Sequence, residues 1–263
     1  MFSVSQGQVA QFVKSNSDPE TVWFLHHIPK TAGSSLVAEI VLGVGEDNYV
    51  NLEGNYSSVD SYIDSLAALT DQAIDLVNGP NAPRILSGHL RAGNIEHLVQ
   101  SSPQLKMLSF VRHPVSRVVS EYNYCCTPLH PLHKEFMITY PTIYDYIEDP
   151  KEMNKIGRMM FGPTPITPKE AVERMVGRYT MIGMQERYPA SFLMMSSMLW
   201  EPTLPHKQER IGAAKKLPSG DVAQRIADAN EIDLALYAHV EKVYEDITPE
   251  IWDDLSPARP VST

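Results

Sequence analysis

A chain of 263 residues, 43% of them apolar, has material for one substantial α/β core and gives no reason to divide it. A net charge of −10 argues against nucleic-acid binding and weighs against a highly anionic polysaccharide as partner, and no stretch approaches the roughly 20 apolar residues of a membrane span. The only cysteines, Cys125 and Cys126, are adjacent, which excludes a disulfide framework and suits a reducing compartment.

Residues 1–20 read as an N-terminal extension, because they lack the basic start and apolar core of a secretory signal. The apolar run Val22-Trp23-Phe24-Leu25 then predicts a buried strand, and Leu36, Val37, Ile40 and Val41 recur at helical spacing. Between them lies His27-Ile28-Pro29-Lys30-Thr31-Ala32-Gly33-Ser34-Ser35. Gly33 permits close backbone approach, and the amides from Thr31 through Ala32 to Ser35 fall at a helix N-terminus, where negative charge is favoured. Lys30 supplies a cation; Thr31, Ser34 and Ser35 supply hydroxyl donors. The run suits a phosphate or sulfate group, with a plain turn in which Ser and Gly cap the helix as the alternative. Its lysine precedes the glycine, which departs from the Walker A order.

Residues 57–76 predict a helix with Val59, Ile63, Leu66 and Leu69 on its apolar face, broken over 78–83. Ile85-Leu86-Ser87-Gly88-His89 reads as a strand running into Gly and His, at the end where open α/β sheets place ligands. A further strand, Leu108-Ser109-Phe110-Val111, leads through Arg112 and His113 into a helix whose first turn suits Pro114. Arg112 and Ser120 lie about two helical turns apart and can converge on one anion. Arg117 and Glu121 are spaced to pair on the exposed face of that helix.

Residues 125–168 are rich in Pro and aromatic side chains and too long for a simple connector, which suggests a substrate lid. Cys125, Cys126, His130 and His133 lie within or at the edge of it, but adjacent cysteines are poorly spaced for zinc. Thr167-Pro168-Lys169-Glu170 predicts the N-terminus of a helix running to Val176, followed by a strand over 179–183 and a helix beginning near Pro189. Met181, Met184, Met194, Met195 and Met198 suit core filling better than an acceptor pocket. Helices over 222–229 and 232–244 precede a polar tail at 251–263. Acidic residues crowd 221–254 while 84–117 is rich in Arg, Lys and His, so a basic cleft is compatible with the acidic total.

The order of residues in Pro29-Lys30-Thr31-Ala32-Gly33-Ser34-Ser35 resembles the 5′-phosphosulfate loop of sulfotransferases that use 3′-phosphoadenosine 5′-phosphosulfate (PAPS), in the form found in the carbohydrate 2-O-sulfotransferase-like branch. Arg112, Pro114, Arg117, Ser120 and Tyr122 are similar in spacing to the 3′-phosphate motif of the same family. Two anion motifs in this order suit the two ends of a bisphosphorylated nucleotide. The resemblance implies a P-loop NTPase-like sulfotransferase fold, a single domain over 21–250 with a mostly parallel sheet flanked by helices. It also implies transfer of a sulfuryl group from PAPS to an acceptor hydroxyl, on a carbohydrate or other small alcohol, with adenosine 3′,5′-bisphosphate as the second product and no metal.

In that branch a strand ends in His-Gly-His and a histidine there is the base. His89 matches the second histidine, and Ser87 stands where the first would be. The resemblance thus implies Lys30 and His89 as catalytic groups, with Lys30, Thr31, Ala32, Gly33, Ser34, Ser35, Arg112 and Ser120 holding the nucleotide. It extends to Arg187, after a Val-Gly-x-x-Glu-like segment at Gly183 to Glu186, and to Lys207 and Arg210 in a basic loop over the nucleotide. Eukaryotic Golgi members of the family carry a membrane anchor, so the resemblance points to a bacterial, cytoplasmic enzyme without stable membrane insertion, or to a trimmed piece of a longer chain. Two other classes share part of the pattern. A P-loop kinase needs a Walker order and a magnesium-binding acidic residue that the chain lacks, and a noncatalytic PAPS-binding relative keeps Lys30 and Arg112 without a competent base.

Overall fold

Short apolar runs, buried on both faces, make most of a five-stranded parallel sheet. The computed structural model describes every residue except 2, 3, 5, 6, 56, 207–219 and 258–263, and the backbone alone of Ser34. The strands are β1 (Trp23–His26), β2 (Tyr49–Leu52), β3 (Ile85–Gly88), β4 (Lys106–Val111) and β5 (Met181–Met184), in the spatial order β2-β3-β1-β4-β5. Parallel neighbours need crossover connections, and helices supply them. After α1 (Val9–Asn16), the chain passes from β1 through α2 (Gly33–Val44) to β2, through α3 (Val59–Asn78) to β3, and through α4 (Ala92–Ser101) to β4. A longer excursion of α5 (Pro114–Cys125), α6 (His133–Thr139), α7 (Ile143–Glu148), α8 (Lys155–Phe161) and α9 (Pro168–Arg178) leads to β5. The chain continues in α10 (Tyr188–Leu199), α11 (Asp221–Ala229) and α12 (Glu231–Leu255).

The edge strand β2 is an addition to the sequence reading. It lacks a continuous buried apolar run, with Asn51 exposed, so nothing local distinguishes it from a loop. The start of α9 forms as expected: Thr167 accepts from the Glu170 amide at 3.2 Å, and Glu170 accepts from the Thr167 amide at 2.8 Å. All five methionines named above are buried in the main core. The last helix runs past the expected end at residue 244, because Ile247, Ile251 and Leu255 repeat every four residues and are buried. Its Glu250 also accepts from the amides of Gly7 and Val9, each at 2.7 Å, and Val9 and Val13 of α1 are buried.

A second, smaller core joins α5, α7 and α11 through Val115, Val118, Tyr146, Ile147 and Ile226. It gives 125–168 helical structure and an anchor of its own. Asn154, with φ 48°, ties this segment to the start of α12: its amide donates to Asn230 at 2.7 Å, and its side-chain oxygen accepts from the Ile232 amide at 2.9 Å.

The expected surface pair on α5 is a buried one. Arg117 is fully buried and donates to Glu121 at 2.5 Å, while Lys155 of α8 reaches Glu121 at 2.9 Å and Glu152 at 2.5 Å. Buried Asp233 of α12 faces the same cluster and accepts from the amides of Ile156 and Gly157 at 3.0 and 2.8 Å. Burial by itself would raise the Glu121 carboxyl, but Arg117 and Lys155 outweigh it and hold the pKa at about 2. Spacing of four residues is the same on a wet face and a dry one, and the packing of α7, α8 and α12 made this face dry. Arg117→Ala leaves Glu121 and Asp233 buried without their main cation, so it is expected to cost about 3–5 kcal/mol, read from urea unfolding. A loss under about 1 kcal/mol would contradict the buried cluster.

Candidate active site

Strand order decides where a ligand can sit. β1 hands the chain to one side of the sheet and β4 hands it to the other, so the crevice outside the C-terminal ends of β1 and β4 is the topological switch point. β1 pairs with both β3 and β4, placing His26 opposite Gly88 and Ser109. The segments that follow these three strands are therefore neighbours: the loop from His27, the turn at His89, and Arg112 at the entry to α5.

In the first loop Lys30 and Ala32 have positive φ, 68° and 105°. Such values are costly for residues with a Cβ and mark a loop held by its surroundings. Gly33 opens α2, and the N-cap is Ala32, which offers no side-chain acceptor. A serine-capped turn is therefore not what forms. Ser34 and Ser35 fall inside the first helical turn, whose N–H groups favour an anion. The hydroxyl of Thr31, expected to face an anion, is buried and donates to the Ile28 carbonyl at 2.8 Å, so it fastens the loop and leaves the backbone amide for a ligand. The Ser34 side chain lies outside the described residues.

Gly33 is required by His27. A Cβ at position 33 would lie 1.4 Å from His27 Nε2, so the imidazole occupies the space that any other residue would need. Gly33→Ala must displace this ring, against which His89 is stacked. The expected result is at least tenfold weaker binding of adenosine 3′,5′-bisphosphate by calorimetry; unchanged affinity would contradict the close packing.

His27 and His89 stack with centroids 4.1 Å apart and planes 29° from parallel. His89 Nδ1 lies 2.7 Å from the His27 carbonyl oxygen. A carbonyl can only accept, so Nδ1 carries the proton and Nε2 keeps its lone pair in the neutral ring. Burial lowers the His89 pKa, partly offset by this hydrogen bond. Burial likewise pushes His27 down to about 3 and His26 to about 4. His26, wholly buried below the loop, meets the Tyr179 hydroxyl at 2.6 Å and the Leu90 carbonyl at 2.9 Å. Tyr62 of α3 donates to the His89 carbonyl, and was not singled out by sequence because a lone tyrosine on a helix face carries no signal. Ser87 is buried too. Its hydroxyl donates to Asn51 at 3.0 Å and accepts from Tyr49 at 2.5 Å, which engages it with the edge strand.

Arg112 is half-buried, and its guanidinium donates to the Lys30 carbonyl at 3.4 Å, bridging the two anion motifs. Ser120 is half-buried on α5. Glu186 accepts from the His113 amide at 2.9 Å and so closes the N-terminus of α5. Arg187 is exposed on the turn after β5, the edge strand beyond β4. Lys207 and Arg210 lie outside the described residues. Among the described residues, no group of three or more His, Cys, Asp or Glu is arranged to hold a metal ion, and no helix is long and apolar enough to cross a membrane.

A parallel sheet flanked by helices, with two strand-to-helix loops at its switch point and a histidine between them, defines an α/β protein with a crevice at the C-terminal ends of its strands. The sequence profile described as the sulfotransferase family matches residues 15–246, and the chain belongs to that family. Among solved structures it is similar to a sulfotransferase from Alicyclobacillus acidocaldarius, at 12% identity, with 83% of this chain and 95% of that one covered and a TM-score of 0.49. It is also similar to mouse sulfotransferase SULT7A1 complexed with PAP, at 13% identity, 87% and 96% coverage and a TM-score of 0.27. No curated protein sequence matches it.

Proposed function

We propose that this sulfotransferase uses PAPS and moves its sulfuryl group to the hydroxyl of a carbohydrate or other small alcohol. The observation that carries the proposal is the hydrogen bond from His89 Nδ1 to the His27 carbonyl, which leaves Nε2 able to take a proton beside the Lys30 loop. PAPS supplies the group to be transferred and a good leaving group. The donor set suits it: first-turn amides of α2 without a side-chain cap, the Lys30 ammonium, and the Arg112 guanidinium bonded across to the Lys30 carbonyl.

In this mechanism the amides from Thr31 to Ser35 and the serine hydroxyls hold the 5′-phosphate, while Arg112 and Ser120 hold the 3′-phosphate. His89 Nε2 accepts the proton of the acceptor hydroxyl as its oxygen attacks. Lys30 stabilises the charge that grows on the oxygen left with the 5′-phosphate. Arg187, Lys207 and Arg210 are further phosphate contacts in the same proposal. The segment 125–168 forms the acceptor side in this proposal, since Tyr124, which immediately precedes it and donates to the Leu129 carbonyl at 3.4 Å, lies against Lys30.

The test is incubation of the protein with 35S-labelled PAPS and fractionated lysate, with mass spectrometry of any labelled product, alongside calorimetry with adenosine 3′,5′-bisphosphate. Transfer of label to a hydroxyl compound and magnesium-independent binding are expected. Binding with no transfer to any fraction would indicate a noncatalytic relative, and magnesium-dependent binding of ATP instead would indicate a kinase.

A further inference from the structure

Resting on the catalytic role given to Lys30 above, we propose that Tyr124 is a positioning residue that aims the Lys30 ammonium by holding it on the face of its ring. Lys30 Nζ lies 4.2 Å from the centroid of the Tyr124 ring, within the range of a cation–π contact. Neither partner is placed casually. Lys30 sits on a left-handed backbone, φ 68°, whose carbonyl is bound by Arg112. Tyr124 lies in the last turn of α5, where its carbonyl accepts from the Thr127 amide at 2.9 Å and the Thr127 hydroxyl at 2.7 Å. Its ring meets His130 edge-on at 5.5 Å, and its hydroxyl donates to Leu129.

The choice of partner has a chemical reason. A carboxylate beside Lys30 would orient the ammonium but also neutralise it and repel an incoming phosphate. An aromatic face attracts the same cation through its quadrupole while adding no net negative charge. Tyr124 also follows Ser120 by four residues, so both lie on one face of α5. A single helix face thus carries the hydroxyl proposed for the 3′-phosphate and the ring that holds the lysine proposed for the 5′ end. A rigid element shared by the two ends keeps the lysine in register with the nucleotide.

Two variants separate this role from simple packing. Tyr124→Phe keeps the π face and is expected to retain kcat within about twofold. Tyr124→Leu keeps an apolar side chain without a quadrupole and is expected to lower kcat about 3- to 30-fold, with a smaller change in KM for PAPS. Turnover is read as transfer from 35S-labelled PAPS to the lysate fraction that accepts label, with thermal melting as the folding control.

A readout independent of turnover comes from reductive 13C-dimethylation of the lysines. The Lys30 methyl resonance, assigned by its absence in Lys30→Ala, is expected upfield through the ring current in the wild type and Tyr124→Phe, and at the ordinary lysine position in Tyr124→Leu. An ordinary Lys30 shift in the wild type, or a folded Tyr124→Leu with unchanged kcat, overturns the role of Tyr124 and leaves the proposed function intact. Absence of transfer by the wild type overturns the function first and the positioning role with it.

Discussion

His89→Ala is expected to lower turnover by about 100- to 10,000-fold while leaving a folded protein that still binds adenosine 3′,5′-bisphosphate. The size follows from its being the imidazole at the crevice whose nitrogens are divided between anchoring and chemistry. Nδ1 is committed to the His27 carbonyl at 2.7 Å, and the backbone behind the ring is held by Tyr62. His27 and His26 are turned to other tasks, one filling the space at Gly33 and stacking on His89, the other bonded on both sides within the core.

The pH dependence has a definite sign. A base must be neutral to act, and burial shifts His89 below the ordinary histidine value of about 6.5. Its active form therefore persists as pH falls through 6.5, and the acid limb of kcat/KM for the free enzyme should lie below that value. His26 and His27, also lowered by burial, add no positive charge in that range to move it. Wild-type turnover in His89→Ala would remove His89 from the mechanism, and an acid limb above pH 6.5 that vanishes in that variant would contradict its lowered pKa.

Lys30→Ala is expected to cost about 100- to 1,000-fold in kcat, the scale seen when one preorganised donor to developing charge is lost. Binding should suffer less, because the amides at the start of α2 and the Arg112 guanidinium remain. Single-turnover kinetics with labelled PAPS, compared with calorimetric affinity for adenosine 3′,5′-bisphosphate, separates the two effects. Lys30→Arg is not expected to restore activity, since a planar guanidinium cannot take the place of a compact ammonium on a backbone fixed at φ 68°. A Lys30→Ala protein with weakened binding but a wild-type single-turnover rate would make Lys30 a binding group alone.

Much of the fold is legible in the chain because parallel strands buried on both faces read as continuous apolar runs. Trp23 to Leu25, Ile85 to Leu86 and Leu108 to Val111 are such runs, and the structure places strands over each. Where the run is missing, as at Tyr49 to Leu52, the strand is invisible, because pairing with β3 makes it a strand and its own side chains do not. Helix starts with a chemical signature are equally readable, Thr167 to Glu170 being the clear example. The end of α12 was hidden by its acidic composition, which masks the buried repeat of Ile247, Ile251 and Leu255.

The candidate site divides in the same way. Local sequence singled out Lys30, Gly33, His89, Arg112 and Ser120 as candidates, because each sits in a short pattern of strand, turn and helix, and the structure gathers the loops that carry Lys30, His89 and Arg112 at one end of the sheet. The Thr31 hydroxyl is engaged by the Ile28 carbonyl three residues back, and the face of Arg117 turned out buried because its packing involves Asp233 and Lys155, which no local pattern names.

What the amino-acid sequence determined by itself is the set of apolar runs, the two strand-turn-helix motifs and the family to which they belong, since these depend on residue type and short spacing. Only the tertiary structure decided which groups meet. The order β3-β1-β4 sets three loops side by side, the His27 carbonyl selects the tautomer of His89, and the last turn of α5 carries Tyr124 to Lys30. The physical reason is that hydrogen bonds, ring contacts and burial act over a few ångströms in space, and strand pairing alone brings residues so far apart in the chain within that reach.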